Sequence, residues 1–197
     1  MKVTRFFILT LVVLASYAAK GQAVINPAIE ETLNQFITYS NQHDWDKAFD
    51  LLYPKLFTKV PKQDLLDIMK STEADGLNLQ MTNTRITSTS VPVMDGEETF
   101  VKVQYISDLS VTIQPGGKYD YPKSIQAMDE QFKIIYGPNN VKWDDSAKQY
   151  KIIANKSMMA IQSKQGDWKL VEINMDQPEL MESLFPGSVM QTLIRVD

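Results

Sequence analysis

Glu98-Thr99-Phe100-Val101-Lys102-Val103-Gln104-Tyr105-Ile106-Ser107-Asp108-Leu109-Ser110-Val111-Thr112-Ile113-Gln114 alternates apolar and polar positions almost without a break. Val101, Val103 and Tyr105 share one face, and Leu109, Val111 and Ile113 resume the same parity after Ser107-Asp108. A period of two over this length predicts a β-strand, and the unbroken parity predicts one long, bent antiparallel strand. Pro115-Gly116-Gly117 ends it. Asp95-Gly96 is a turn signal joining it to a preceding run, 78–90, where Thr and Ser interleave with Leu79, Met81 and Ile86. That run reads as a strand with one wet face.

Before Gly76 the period is 3.6, and residues 26–72 read as three helices. Asn26 is an N-cap with Pro27 behind it, and Ile29, Leu33, Phe36, Ile37 and Ser40 make one stripe of a long first helix. Asp44 caps a shorter second helix carrying Trp45, Ala48, Phe49 and Leu52, stopped by Pro54. Pro61 opens the third, whose expected inner face is Leu65, Ile68 and Met69.

After the long strand, 118–148 reads as a helical insertion, with Ile125, Met128, Phe132, Ile135 and Tyr136 at helical spacing and Gly137-Pro138 as the stop. Strands are expected at Tyr150–Ala154, Met158–Gln162 and Trp168–Met175, the last two joined at Gln165-Gly166-Asp167. Pro178 starts a terminal helix with Leu180, Met181, Leu184 and Phe185, and a final amphipathic turn carries Val189 and Leu193. Helices followed by a curved antiparallel sheet predict an α+β cone: N-terminal helices on the concave face, a helical insertion, and a C-terminal helical tail.

The 197 residues are 44% hydrophobic and 22% charged, which suits a folded domain. With no cysteine, disulfides, thiolate metal sites and thiol nucleophiles are excluded, and the single histidine, His43, excludes a multi-histidine metal centre. Lys2 and Arg5, the apolar run Phe6 to Ala19 and the small residues around it read as a secretory signal over 1–21, cleaved after Ala18 or Gly21. The apolar run is short for a spanning helix, so no transmembrane segment is expected after cleavage. Residues 22–197 are then one domain, secreted or held in the periplasm or at the cell surface. The net charge of −4 becomes more acidic without the signal, and scattered Lys and Arg argue against a nucleic-acid partner.

Two stretches carry a family resemblance. Asn41-Gln42-His43-Asp44-Trp45-Asp46-Lys47 is a capped second helix after a long first one, and Gly166-Asp167-Trp168-Lys169-Leu170-Val171-Glu172-Ile173 is a terminal strand. Together they resemble the nuclear-transport-factor-2-like superfamily, also called cystatin-like, and its exported bacterial members of unknown function. The resemblance covers 27–114 and 149–175 and departs at the 118–148 insertion and the 177–194 tail. It implies a cone that in some members is a ketosteroid-isomerase-like or dehydratase-like enzyme or a polyketide cyclase, and in others a binding module. Acid–base enzymes of this group place an Asp or His opposite a Tyr inside the cone, and no residue here matches those positions.

Among individual residues, Glu172 shares strand parity with Trp168 and Leu170, so it is the candidate for a carboxylate inside the cone acting as a base; reversed parity would leave it solvated. Tyr39, Trp45, Tyr53, Phe57, Tyr105 and Trp168 are candidate pocket-lining aromatics, with core packing as their alternative role. His43-Asp44 is a candidate pair, although Asp44 is already explained as a cap. The scattered methionines read as core filling. Asp144-Asp145 reads as a hairpin turn, its oxygen spacing being wrong for a calcium loop. No phosphate loop, serine elbow or zinc-protease motif occurs. The expectation is a non-catalytic binding module for a small apolar ligand or a protein, without cofactor or metal; the alternative is an acid–base isomerase or dehydratase using Glu172. A homodimer through the sheet is a further expectation.

Overall fold

The computed structural model describes residues 25–164 and 166–194. The expected signal, 1–21, lies outside them. Helix α1, Pro27–Asn41, begins where Asn26 accepts the Ala28 N–H at 3.0 Å, and it buries Ile29, Leu33, Ile37 and Ser40. Helix α2, Trp45–Asp50, begins where Asp44 accepts the Lys47 N–H at 3.3 Å. Both starts follow the rule that a side-chain oxygen satisfies an orphan amide of the first turn.

Helix α3, Lys62–Ala74, corrects one expectation. It packs on Trp45, Ala48 and Phe49 of α2 through Leu66, with Leu65 and Met69 alongside, and Ile68 is 57% exposed. Leu65, Leu66 and Met69 also satisfy helical spacing, so the contact with α2 turns the stripe and puts Ile68 outside.

The sheet is antiparallel throughout: β1 Leu77–Thr89, β2 Val93–Asp95, β3 Glu98–Ile113, β4 Val141–Asp144, β5 Gln149–Ser163 and β6 Trp168–Glu172. Its spine is the β3–β5 pair, in unbroken register from Glu98 opposite Ser163 to Thr112 opposite Gln149. β1 and β2 pair with β3, while β4 and β6 pair with β5. The long strand over 98–113 is as expected. Two readings downstream are corrected. Tyr150–Ala154 and Met158–Gln162 are one strand, because polar Asn155, Lys156 and Ser157 interrupt the hydrophobic pattern but not the ladder to β3. The 118–148 insertion is not wholly helical, since Val141–Asp144 adds strand β4.

Register slips in β1 between Thr82 and Arg85, and again between Ile86 and Ser88, mark bulges that bend a strand. Asn83 sits there at φ +51°. Asn41, at the end of α1, grips the strand beside the first slip: its amide donates to the Met81 carbonyl at 2.7 Å, and the Met81 N–H donates to its Oδ1 at 2.8 Å.

Helices cover both faces of the curved sheet. On the concave side α1 covers Val101, Val103, Met158, Ala160, Trp168 and Leu170. Further along the same face, helix α4, Pro122–Tyr136, covers Val111, Ile113, Tyr150 and Ile152 with Ile125, Met128, Phe132 and Tyr136. No residue of α4 is fully buried, and Ile135, expected in its inner stripe, is 49% exposed because the helix lies with Phe132 and Tyr136 against the sheet. The outer face carries the C-terminal tail: α5 Pro178–Leu184, α6 Gly187–Val189 and a π-helical turn Met190–Ile194 close over Phe100, Met159, Ile161 and Val171.

The free edge of β6 is covered too. Leu52 bridges Leu170 in parallel, the Tyr53 N–H donates to the Leu170 carbonyl and the Leu170 N–H to that of Leu51, both at 2.9 Å. This spares the sheet an open edge. Among the described residues no helix is long and apolar enough to cross a membrane.

Candidate functional site

Between the parts of the concave face that α1 and α4 occupy, the sheet carries polar residues. Tyr105 and Lys156 are direct partners across β3 and β5, and Glu172 stands opposite Met158 on β6, diagonal to Lys156. The Lys156 ammonium donates to Glu172 Oε1 at 2.7 Å and lies 5.1 Å from the centroid of the Tyr136 ring, which the last turn of α4 brings over the sheet. Strand parity thus puts three groups on one face, and the helix supplies the fourth.

The electrostatics fix the protonation of these groups. Burial, then the Glu172 charge, then Tyr136, hold the Tyr105 phenol well above its ordinary value. Tyr136 is raised by burial first, with Lys156 opposing and Glu172 adding. Burial works against the Lys156 ammonium, yet the hydrogen bond and charge of Glu172, helped by Tyr136 and Asp176, raise its pKa. At neutral pH the site therefore presents two protonated phenols and one ammonium neutralised by its carboxylate.

Among the described residues no hydrogen bond engages the hydroxyl of Tyr105 or of Tyr136. Among the described residues no side-chain nitrogen or oxygen that is sealed from solvent lacks a partner, so each of these two hydroxyls keeps some contact with solvent. Two reachable donors and a cation around a partly buried spot suit an acceptor oxygen on a small molecule.

Of the residues singled out from the sequence, Glu172 and Tyr105 come together here. Glu172 has the parity of Trp168 and Leu170, but at the strand end its side chain is half exposed and held by Lys156. The remaining aromatics are dispersed. Trp168 packs in the cluster under α1; Tyr39, Trp45 and Phe57 pack among α1, α2 and α3. Tyr53 lies in the outer-face cluster, its hydroxyl donating to both Glu98 oxygens at 3.0 Å. His43 does not pair with Asp44. Its Nδ1 lies 2.5 Å from Glu73 Oε1, which also accepts the Trp45 indole N–H at 2.6 Å, while Asp44 caps α2 and pairs with Lys47. The sequence alone does not mark Lys156 and Tyr136 as site residues. Lys156 lies in the polar break of β5 and Tyr136 directly before the Gly137 stop, a signal legible only once α4 is placed on the sheet.

Among the described residues no three His, Asp or Glu side chains gather as a metal site. The outer face beyond the C-terminal tail carries Lys102, Gln104, Asn155 and Lys151 around Ile106 and Ile153.

No family profile and no curated protein matches the chain. Solved structures similar to it include a conserved protein from Planctomyces limnophilus, at 11% identity and a TM-score of 0.42, covering 75% of this chain and 96% of that one. A protein provisionally assigned as a polyketide cyclase, from Xanthomonas campestris, is 10% identical with a TM-score of 0.36, covering 80% and 97%. A provisionally assigned dehydratase of the nuclear-transport-factor-2-like family, from Streptomyces avermitilis, is 10% identical with a TM-score of 0.33, covering 73% and 90%.

Proposed function

We propose that this chain is an exported binding module of the nuclear-transport-factor-2-like type that holds a small, largely apolar ligand on the concave face of its sheet. The observation that carries the reading is the pair of unengaged, reachable hydroxyls of Tyr105 and Tyr136 beside Lys156. Polar side chains in partly buried positions usually find partners, and here a ligand carbonyl or carboxylate would be that partner. The acid–base alternative is weaker on one specific ground. Glu172 is bound to Lys156 at 2.7 Å and half exposed, whereas a general base works best as a free carboxylate in reach of a substrate proton.

Purification of the full chain from its native envelope or culture fluid, followed by native mass spectrometry, tests this. Co-purifying small-molecule mass that is lost in both Tyr105→Phe and Lys156→Met supports the reading. Bare protein, or added mass indifferent to both variants, overturns it.

A further inference from the structure

A cavity of about 540 Å³ opens between the first two turns of α4 and the β4–β5 hairpin. Its volume falls within the range of about 300–1,000 Å³ typical of small-molecule sites. Trp143, the half-exposed Tyr121 and Ile125 form carbon-rich walls, and Tyr150, fully buried, backs the Trp143 ring as its cross-strand partner with centroids 4.6 Å apart. Asp120, Gln126, Asp129, Asp145 and Lys148 supply polar groups on the same lining.

The frame of this cavity is fixed. The Tyr150 hydroxyl donates to the Ile125 carbonyl at 2.6 Å, tying α4 to the strand beneath. The Ile113 N–H donates to the Lys148 carbonyl at 2.8 Å, and Asp144 accepts from the Ser146 hydroxyl at 2.7 Å and the Ala147 N–H at 3.2 Å, so the hairpin is braced on both sides.

Charge decides the ligand class. Lys148 pairs with Asp145 at 3.1 Å and with Asp120 at 3.7 Å, and Asp129 pairs with Lys133 at 2.6 Å. Each carboxylate already has a cation, so an organic cation on the aromatic walls would have to displace a lysine. Each carboxylate also keeps lone pairs beyond the one its lysine uses, since an ionised carboxyl offers about four acceptor sites. A neutral molecule with many hydroxyls can use those lone pairs and the Gln126 amide without breaking an ion pair, while its C–H faces lie on the rings. We propose that this cavity is a saccharide-binding site, separate from the concave-face cluster.

The test is an NMR titration of the full chain with cellobiose, maltose and N,N′-diacetylchitobiose, each to ~10 mM, a range that detects weak binding. The reporter is the Trp143 indole N–H, assigned through Trp143→Phe, with the indoles of Trp45 and Trp168 as internal controls. At least one disaccharide is expected to shift Trp143 saturably and leave the other two indoles in place. Tyr121→Ala and Asp145→Asn, both at exposed positions, should each weaken that affinity about tenfold, near 1.4 kcal/mol. No saturable shift with any of the three, affinity unchanged in both variants, or a stronger response to tetramethylammonium than to every disaccharide overturns the proposal.

Discussion

The Lys156 ammonium of β5 lies 5.1 Å from the ring centroid of Tyr136 on α4, so a strand and the inserted helix meet through a cation and an aromatic face. The same ammonium holds Glu172 of β6. One lysine thus links three elements at the site where we place the ligand. Lys156→Met keeps a side chain of similar length and removes the charge; it is expected to lower stability by no more than about 1 kcal/mol in urea unfolding, because Glu172 can turn to solvent. A much larger loss would show that the contact is structural first.

Alkaline pH should destabilise the fold through its buried phenols. Tyr53, Tyr105, Tyr136 and Tyr150 are all raised by burial, Tyr150 to about 12. A group whose pKa is raised on folding contributes stability that is fully present below its unfolded value, about 10 for tyrosine, and is lost as pH rises toward the folded one. Thermal midpoints should hold to about pH 10 and fall between about pH 10 and 12, together with a cooperative rise in phenolate absorbance. Gradual, non-cooperative tyrosine ionisation over that range would contradict the burial described here.

Glu73 joins two turns of the helical layer, accepting from His43 and from the Trp45 indole on one oxygen. Glu73→Ala leaves both donors without it and should cost about 1–3 kcal/mol. Urea unfolding followed by tryptophan fluorescence reads the loss, and Glu73→Gln should recover part of it because its amide oxygen can still accept.

Asn41 replaces a strand partner for Met81 with its own amide, donating and accepting once each at 2.7 and 2.8 Å. Asn41→Leu removes both bonds and should cost about 1–3 kcal/mol. Faster hydrogen exchange at the Met81 amide in that variant would localise the effect to the bend of β1.

Leu184 is fully buried where the C-terminal tail closes over Phe100, Met159, Ile161 and Val171. Leu184→Ala should cost about 2–5 kcal/mol, as for other buried leucines. Denaturant midpoints measure it, and a neutral result would mean that the outer face does not depend on the tail.

The alternation over 98–114, the capped helices after Asn26 and Asp44 and the helical stripe after Pro122 determine the order of elements and the α+β class, because each is a local pattern that the backbone period reads directly. The sequence could not decide which face of β6 points inward, since Trp168 and Leu170 meet α1 while Val171 meets the C-terminal tail, and burial on both sides erases the alternation. Nor could it show that Ile68 and Ile135 face solvent, or that Asn155-Lys156-Ser157 continues a strand, because helix rotation and ladder pairing are set by partners distant in the chain. The site has the same division. Tyr105 and Glu172 were legible as strand residues of chosen parity, but Lys156 and Tyr136 join them only when β5 is laid beside β3 and α4 folds back over both, a contact between residues that no local period connects.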